Sequence, residues 1–313
     1  MNTCVIAAQN PTNALVEQLT SGKVVALGDA HWYGDLFENL SSLALSDAVL
    51  AVCQTIVLEM GASIHQQWLN DYLYGEVAED RARLQSVLLD SLVFPVWFAP
   101  YHLKFFQRVR RINQARLAAG QTPVQLVLAE PEIDWHMIRS SQDYKQYFKQ
   151  RDTQLLKVIG SLAEKQQPCI LLCGAWHILK QSRAGMPQTF GSMMQKKYPD
   201  ILYSVWPHMQ MEQHSSLLHV QAPALIDCHQ TAFGERPVSD IAPMMRKAVN
   251  LLKMPPVRQV VDAYLYYGPQ SRCSDFDFSV WQGLDHQEIT RRASFLNERQ
   301  RDLVAKVLLC LNC

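Results

Sequence analysis

The stretch Val24-Val25-Ala26-Leu27-Gly28-Asp29-Ala30-His31 decides the fold, because a short β-branched apolar run ends there in a glycine and polar residues. An apolar run of this length predicts a strand that is buried on both faces, as is typical of parallel sheets. Apolar residues then recur at helical spacing over residues 35–49. The chain therefore begins with a predicted strand followed by a predicted helix.

Further strands and helices alternate along the chain as far as about residue 207. The predicted strands cover residues 24–27, 51–60, 124–128, 169–173 and 202–206, and the predicted helices cover residues 35–49, 62–74, 101–119, 151–164 and 191–197. Such an alternation requires a parallel sheet with right-handed crossovers. We predict an α/β fold in which a mostly parallel sheet is flanked by helices on both faces.

The pattern after residue 207 is less regular. Residues 217–220 and 260–267 resemble further strands, residues 221–238 have little periodicity, and residues 285–311 predict a C-terminal helix with a break near Asn297. The sequence has no internal repeat and no convincing linker. We therefore predict a single α/β domain over residues 1–313, with its core at about 20–270 and a C-terminal helical segment at about 285–311.

Composition restricts the classes of partner. The 313 residues include 29 basic and 29 acidic side chains, and this zero net charge argues against nucleic acid and anionic membranes, which favour a basic excess. The N-terminus has no basic region before its short apolar run, and no stretch reaches the ~20 apolar residues of a membrane span. We expect a cytoplasmic protein that acts on a small-molecule ligand or substrate; its oligomeric state is left open.

The eight cysteines are scattered, and several lie in apolar segments, as buried free thiols do in a reducing compartment. Cys310 and Cys313 form the one CxxC motif, at the C-terminus. A tetrahedral zinc site would need two further ligands, so this motif alone does not predict one.

Polar side chains directly follow four of the predicted strands. They are Asp29 and His31 after the first strand, Glu59 after the second, Glu130, Glu132 and Asp134 after the third, and Trp176 and His177 after the fourth. The carboxyl ends of parallel strands lie along one edge of a sheet, where ligands bind. We therefore predict a site built on His31, Glu59 and His177, with Glu130 as the member of its group that faces the site and Asp134 as its main rival.

Each of these residues also has a structural interpretation. His31 is alternatively a loop or helix-capping residue, His177 a packed core histidine, and Trp176 a core residue rather than a pocket wall. A carboxylate that continues a buried strand is energetically costly unless it is paired or coordinated. Glu59 is thus either functional or neutralised by backbone amides or an arginine.

Two kinds of hydrolytic chemistry suit this set of side chains. In the first, His31 or His177 is the general base for a water molecule, the other orients it or polarises a carbonyl, and Glu59 holds the imidazole. In the second, both histidines and Glu59, with Asp29 and Glu130, bind a divalent metal that acidifies the water. The sequence contains none of the common serine-hydrolase, zinc-protease, phosphate-loop or dinucleotide motifs.

An ordered set of short motifs over about residues 24–265 resembles a known superfamily. Val25–His31 is similar to Leu-Gly-Glu-x-His, and Ile56–Met60 is similar to a strand that ends in Leu-Glu-Met. Ile170–Ile178 with Gly185–Pro187 is similar to Gly-x-x-His followed by Gly-Val-Pro. The other motifs are Trp97 with Pro100-Tyr101, Arg151-Asp152 and Val261–Leu265. The chain resembles the superfamily of ChaN-like haem-binding proteins, erythromycin esterase-like hydrolases and TIKI/TraB proteins, with the ChaN-like pattern nearest.

The resemblance carries its own expectations. It implies a site at His31, Glu59 and His177, supported by Arg151, Asp152 and Asp262. It implies either a hydrolase or, alternatively, a haem- or iron-binding protein without a membrane anchor, in which Tyr33 and Trp176 are candidate cofactor contacts. The expected cofactor is thus a divalent metal or haem. The chain differs from the pattern at Asp29, where the superfamily has Glu, and at Gly174, where the esterase branch has a further histidine.

Overall fold

A computed structural model describes residues 7–181, 188–209, 220–241, 255–268 and 281–311. The strands are β1 (Val24–Asp29), β2 (Thr55–Leu58), β3 (Gln125–Leu128), β4 (Cys169–Gly174), β5 (Leu202–Pro207), β6 (Ala224–Asp227) and β7 (Ala263–Tyr266). The helices are α1 (Pro11–Thr20), α2 (Gly34–Ala44), α3 (Asp47–Val52), α4 (Gln66–Tyr74), α5 (Arg81–Leu89), α6 (Pro100–Ala118), α7 (Ser141–Phe148), α8 (Arg151–Glu164), α9 (Phe190–Lys197), α10 (His286–Ala293) and α11 (Glu298–Leu311).

The strands form one seven-stranded sheet in the order β3-β2-β4-β1-β5-β7-β6. Strand β1 pairs in parallel with β4 and with β5, and β5 pairs in parallel with β7. Only the pairing of β6 with β7 is antiparallel among the pairs described. The predicted α/β fold with a mostly parallel sheet and flanking helices is confirmed.

The chain folds as two compact units. The first unit comprises the described residues of Met1–Ile56 and Leu156–Arg272, and the second those of Val57–Leu155 and Cys273–Cys313. In the first unit an apolar core packs around the fully buried rings of Trp206 and Tyr264. In the second, Phe98 and Trp281 meet edge to face with ring centroids 5.4 Å apart. The prediction of a single domain stays a prediction.

The structure corrects several predicted boundaries. The helix predicted over 35–49 is two helices, α2 and α3, because Ser46 adopts an extended conformation and its hydroxyl donates to the Leu43 carbonyl. A serine hydroxyl that donates to a backbone carbonyl three residues earlier competes with the helical hydrogen bonds and favours a helix end. The strand predicted over 51–60 is confined to β2, since Ala51 and Val52 still belong to α3.

The C-terminal prediction is confirmed in outline, because α10 and α11 are separated near Asn297. The stretch 221–238 was predicted to be irregular but contains β6, whose apolar run is too short to be recognised without its partner β7. Helices α1, α5 and α7 were also missed. The strand predicted over 217–220 lies outside the described residues except for Val220, as do Gly185–Pro187 and Cys313.

Among the described residues, no helix combines the length and the apolar character needed to cross a membrane. Cys53, Cys169 and Cys173, which lie in apolar segments, are buried and form no disulfide, and the same holds for Cys228, whereas Cys310 is exposed. The inference that cysteines in apolar segments are buried thiols is therefore confirmed for Cys53, Cys169 and Cys173.

Candidate functional site

In the first unit, the ends of β1 and β4 lie side by side. Asp29 is the register partner of Gly174, and the Asp29 carbonyl oxygen accepts a hydrogen bond of 2.8 Å from the Ala175 N–H. His31 and His177 follow these strand ends after two and three residues, and both are half-buried. The two histidine-bearing turns therefore leave the sheet from adjacent strands. The sequence predicted only that both histidines follow strand ends at one edge of the sheet, and the pairing of β1 with β4 comes from the structure.

Gly28 permits this close approach. A Cβ atom at Gly28 would lie 2.9 Å from the Ala175 Cβ, closer than real Cβ atoms are found, and 3.0 Å from the Pro207 Cδ, which is also unusually tight. Gly28 lies within β1, and its role is close packing between three neighbouring strands. The turn after β4 is thus held directly against β1.

The Asp29 side chain has unusual electrostatics. It is only 7% exposed, and its Oδ1 atom has no hydrogen-bond partner among the described residues. Burial raises the pKa of Asp29 from 3.8 to about 7, and a hydrogen bond from the Ala30 backbone offsets only part of this effect. A carboxyl group with such a pKa exchanges its proton near neutral pH, where acid–base catalysis operates.

The His177 turn is anchored by backbone hydrogen bonds. The His177 N–H donates to the Gly174 carbonyl at 2.9 Å, and the His177 carbonyl accepts from the Gly191 N–H of α9 at 2.7 Å. Trp176 is 39% exposed and meets the buried Trp206 ring edge to face, with centroids 5.9 Å apart. Trp176 is therefore an aromatic surface beside His177 rather than a buried core residue.

The residues around Tyr33 connect β1 to α2. The Tyr33 N–H donates to the Ala30 carbonyl at 3.2 Å, and the Tyr33 carbonyl accepts from the Phe37 N–H at 3.0 Å. Tyr33 is buried, as is Trp32, which has a positive φ of 72°. The segment is tightly folded, and the cofactor-binding role of Tyr33 stays a prediction.

In the second unit, Arg151 links two buried carboxylates. Its Nη2 donates to the Glu59 Oε1, and its Nε lies 3.7 Å from the Glu130 Oε1. The second Glu130 oxygen, Oε2, accepts from the Leu92 N–H at 2.5 Å. Glu59 is thus neutralised by an arginine, which is the structural interpretation considered for it, and Arg151 supports both predicted carboxylates.

The remaining acidic candidates lie in other environments. Glu132 and Asp134 are exposed, whereas Glu130 is buried, so burial separates Glu130 from its rival. Asp152 is partly buried at the start of α8. Asp262 precedes β7 and accepts a hydrogen bond from the Ser204 N–H. Ser204 is the register partner of Ala26 in the middle of β1, so Asp262 lies away from Asp29 at the end of that strand.

Asp262 is the centre of a cluster that sequence reasoning did not find. Its Oδ1 accepts from Lys180 Nζ at 2.8 Å and from His229 Nε2 at 3.0 Å, and its Oδ2 accepts from the Ser204 N–H at 2.7 Å. Burial alone would raise the pKa of Asp262, but the donors from His229 and Lys180 outweigh it and hold the pKa below its ordinary value. The hydrogen bond to Asp262 in turn raises the pKa of His229.

No sequence signal connects these residues, because Lys180 and His229 are separated from Asp262 by 82 and 33 positions. His229 also lies in the stretch that was predicted to be irregular.

The donor atoms do not support the metal hypothesis. Among the described residues, no three His, Cys, Asp or Glu side chains form a group that could hold a metal ion. Glu59, one of the predicted ligands, is bound by Arg151. In the part of the chain that the structure describes, the predicted ligands therefore do not fit a resident metal.

No protein-family model matches the chain, and no curated protein matches it. A solved structure of a Bacillus cereus protein is 10% identical, with a TM-score of 0.51 over 85% of this chain and 95% of that one. A succinoglycan biosynthesis protein is 9% identical, with a TM-score of 0.52 over 82% and 90%. A mutant of the erythromycin esterase EreC in its open conformation is 12% identical, with a TM-score of 0.50 over 85% and 95%. These likenesses show a shared fold.

Proposed function

We propose that the chain is a hydrolase of carboxylic esters whose reaction takes place at the carboxyl ends of β1 and β4. The observation that carries the proposal is the pairing of Asp29 with Gly174. Because of this pairing, the turns that carry His31 and His177 begin next to each other at the ends of adjacent strands. The fold shared with an erythromycin esterase, and the resemblance of the motifs around both histidines, support the same class of reaction.

In this proposal one imidazole removes a proton from a water molecule as the water attacks the ester carbonyl. The other imidazole polarises the carbonyl oxygen or orients the water; which histidine has which role is left open. The buried Asp29 carboxyl adds a group that takes up or releases a proton near neutral pH. In its ionised form the Asp29 carboxylate can accept this proton from the imidazolium and then donate it to the leaving alkoxide.

Glu59 has a different role in this proposal from the one its position in the sequence suggested. Its contact with Arg151 makes it part of a buried ion pair. We therefore assign Glu59 and Glu130 to the structural support of the second unit, and not to proton transfer.

The test is hydrolysis of 4-nitrophenyl acetate and butyrate by the purified chain, beside His31→Asn and His177→Asn. Loss of a general base lowers the rate by about 10²–10⁴-fold, so both variants should lose at least about 100-fold in kcat/KM. His136→Asn is the matched control, because His136 is exposed and lies in the second unit. It should retain full activity.

Two results would count against this function. If the chain cleaves the esters no faster than buffer does, it is not an esterase for these substrates. If the two histidine variants are as fast as the wild type, His31 and His177 are not catalytic residues. The haem-binding alternative stays a prediction from the resemblance. A haemin titration of the same proteins tests it, because a Soret band that is lost on substitution of His31 or His177 would favour it.

A further inference from the structure

A second groove in the first unit lies beside the beginning of β1 and β5. It has a volume of about 560 Å³, and its walls include Lys23, which precedes β1, and Leu202, which begins β5. This is the end of β1 opposite Asp29. The groove is therefore a separate feature from the strand ends that carry His31 and His177.

The permanent charges that line the groove are balanced. Three permanent cations, Lys23, Lys180 and Arg258, face three carboxylates, Asp200, Asp227 and Asp262. This balance provides no net attraction for an anion or a cation, since a charged ligand is drawn to a site with an excess of the opposite charge.

Most of these charges are already engaged within the protein. Asp262 accepts hydrogen bonds from Lys180 and His229, and Asp227 accepts the backbone N–H groups of His229 and Gln230 at 2.7 and 2.9 Å. These contacts hold the groove walls in place and reduce the charge that Asp227 and Asp262 offer to a ligand.

Lys23 and Arg258, the other two cations of the groove, also contact side chains of the protein. The Lys23 ammonium lies 5.9 Å from the centroid of the Tyr203 ring, within the range of a cation–π contact. Arg258 Nη1 pairs with the Glu235 carboxylate at 3.1 Å. This second pair is largely exposed, so it contributes little to stability.

Besides Asp200 and the Lys23 ammonium, the hydrogen-bonding groups that remain on the groove walls are mostly side-chain amides. Five glutamines line the groove: Gln18, Gln181, Gln195, Gln230 and Gln259. Gln181 and Gln259 make one long contact of 3.4 Å with each other. The side-chain amides of Gln18, Gln195 and Gln230 make no hydrogen bond to another residue in the described part of the chain.

We propose that this groove binds a neutral, polyhydroxylated ligand of the saccharide class. Each glutamine amide presents a donor and an acceptor, and each sugar hydroxyl is also a donor and an acceptor. Five such amides around one groove suit a ligand with several hydroxyl groups. The Lys180–Asp262–His229 cluster keeps the wall rigid, which reduces the entropy lost on binding.

The test measures binding of glucose, galactose, N-acetylglucosamine and maltose to the full chain by saturation-transfer NMR and calorimetry. Glucose 6-phosphate and acetate serve as anionic probes. We expect at least one of the neutral sugars to bind in the millimolar range and to bind more tightly than either anion. The double variant Gln230→Ala/Gln259→Ala should weaken that binding about tenfold, because it removes two sets of hydrogen bonds.

The control variant is Gln167→Ala, which changes an exposed glutamine outside the groove in the same unit. It should bind like the wild type. Circular dichroism verifies that each variant is folded, which is expected because Gln230 and Gln259 are exposed. The proposal is overturned if none of the four sugars binds at millimolar concentrations, if an anionic probe binds more tightly, or if the double variant binds as the wild type does.

Discussion

Asp29 at the end of β1 is aligned with Gly174 at the end of β4, and its carbonyl oxygen accepts the Ala175 N–H that begins the turn to His177. The same residue therefore joins the two strands through its backbone and places a buried carboxyl group where both histidine-bearing turns begin. An aspartate in this position lowers stability at neutral pH, which is a common property of functional sites.

The substitution Asp29→Asn should make stability less dependent on pH. The folded-state pKa is about 7 and the ordinary value is 3.8. The contribution of Asp29 to folding is therefore fully present below pH 4 and is lost as the pH rises through about 7, by up to about 4 kcal/mol. Above pH 7 the Asn variant should be more stable than the wild type.

The measurement is urea unfolding of both proteins between pH 4 and 8. Asp302→Asn, a change at an exposed position in α11, is the control and should leave the pH profile unchanged. Parallel profiles for the wild type and Asp29→Asn would show that the Asp29 carboxyl does not titrate in this range.

The substitution Gly28→Ala should destabilise the first unit through steric conflict. The added methyl group would meet Ala175 and Pro207 at about 3 Å, and overpacking of this kind typically costs about 1–3 kcal/mol. Denaturant unfolding measures the loss. Adding Ala175→Gly should recover part of it, since one of the two opposing groups is then removed.

Gly22→Ala provides the comparison for Gly28→Ala. Gly22 has a φ of 82° but no atom within 4 Å of the added Cβ, so its substitution reports backbone strain without a clash. If Gly28→Ala were no more destabilising than a surface substitution, and Ala175→Gly gave no recovery, the close packing of β1 against the β4 turn would be wrong.

The substitution Arg151→Met should be strongly destabilising, because it leaves the buried Glu59 and Glu130 carboxylates without their cation. Removal of one partner of a buried ion pair typically costs about 3–5 kcal/mol. Adding Glu59→Gln should recover part of the loss. Double-mutant cycles on urea unfolding give the coupling energy, and a coupling near zero between Arg151 and Glu59 would contradict the buried pair.

The substitution Asp262→Asn should lower the pKa of His229, because the hydrogen bond to Asp262 is the main cause of its raised value. It should also destabilise the fold, since Lys180 would lose the carboxylate that neutralises it. An NMR titration of the His229 imidazole in both proteins checks the first effect. An unchanged titration would show that Asp262 and His229 do not interact in solution.

The sequence predicted the strands near the site well, because their signal is local. Val24–Leu27 and Cys169–Cys173 are continuous apolar runs, and each occurs as a strand in the structure. The sequence predicted the ends of helices poorly where a single side chain determines them, as at Ser46 between α2 and α3. It missed β6, whose short apolar run becomes a strand through its antiparallel pairing with β7.

For the candidate site too, some features were predicted from the sequence and others were not. The sequence placed His31 and His177 directly after predicted strands, and only the structure shows that these strands, β1 and β4, are paired neighbours. The environment of each acidic residue was not predictable, because it depends on distant partners. Arg151 reaches Glu59 across 92 positions, and Lys180 reaches Asp262 across 82.

The sequence by itself therefore determined the strands and helices with a strong local pattern, and which polar residues follow those strand ends, since both depend on neighbouring residues in the chain. Only the tertiary structure decided that Asp29 is buried without a partner for its Oδ1 among the described residues, whereas Glu59 is paired with Arg151 and Asp262 with Lys180. The physical reason is that the protonation state of a carboxyl group depends on its burial and on the nearest donors in space, which the order of residues along the chain does not specify.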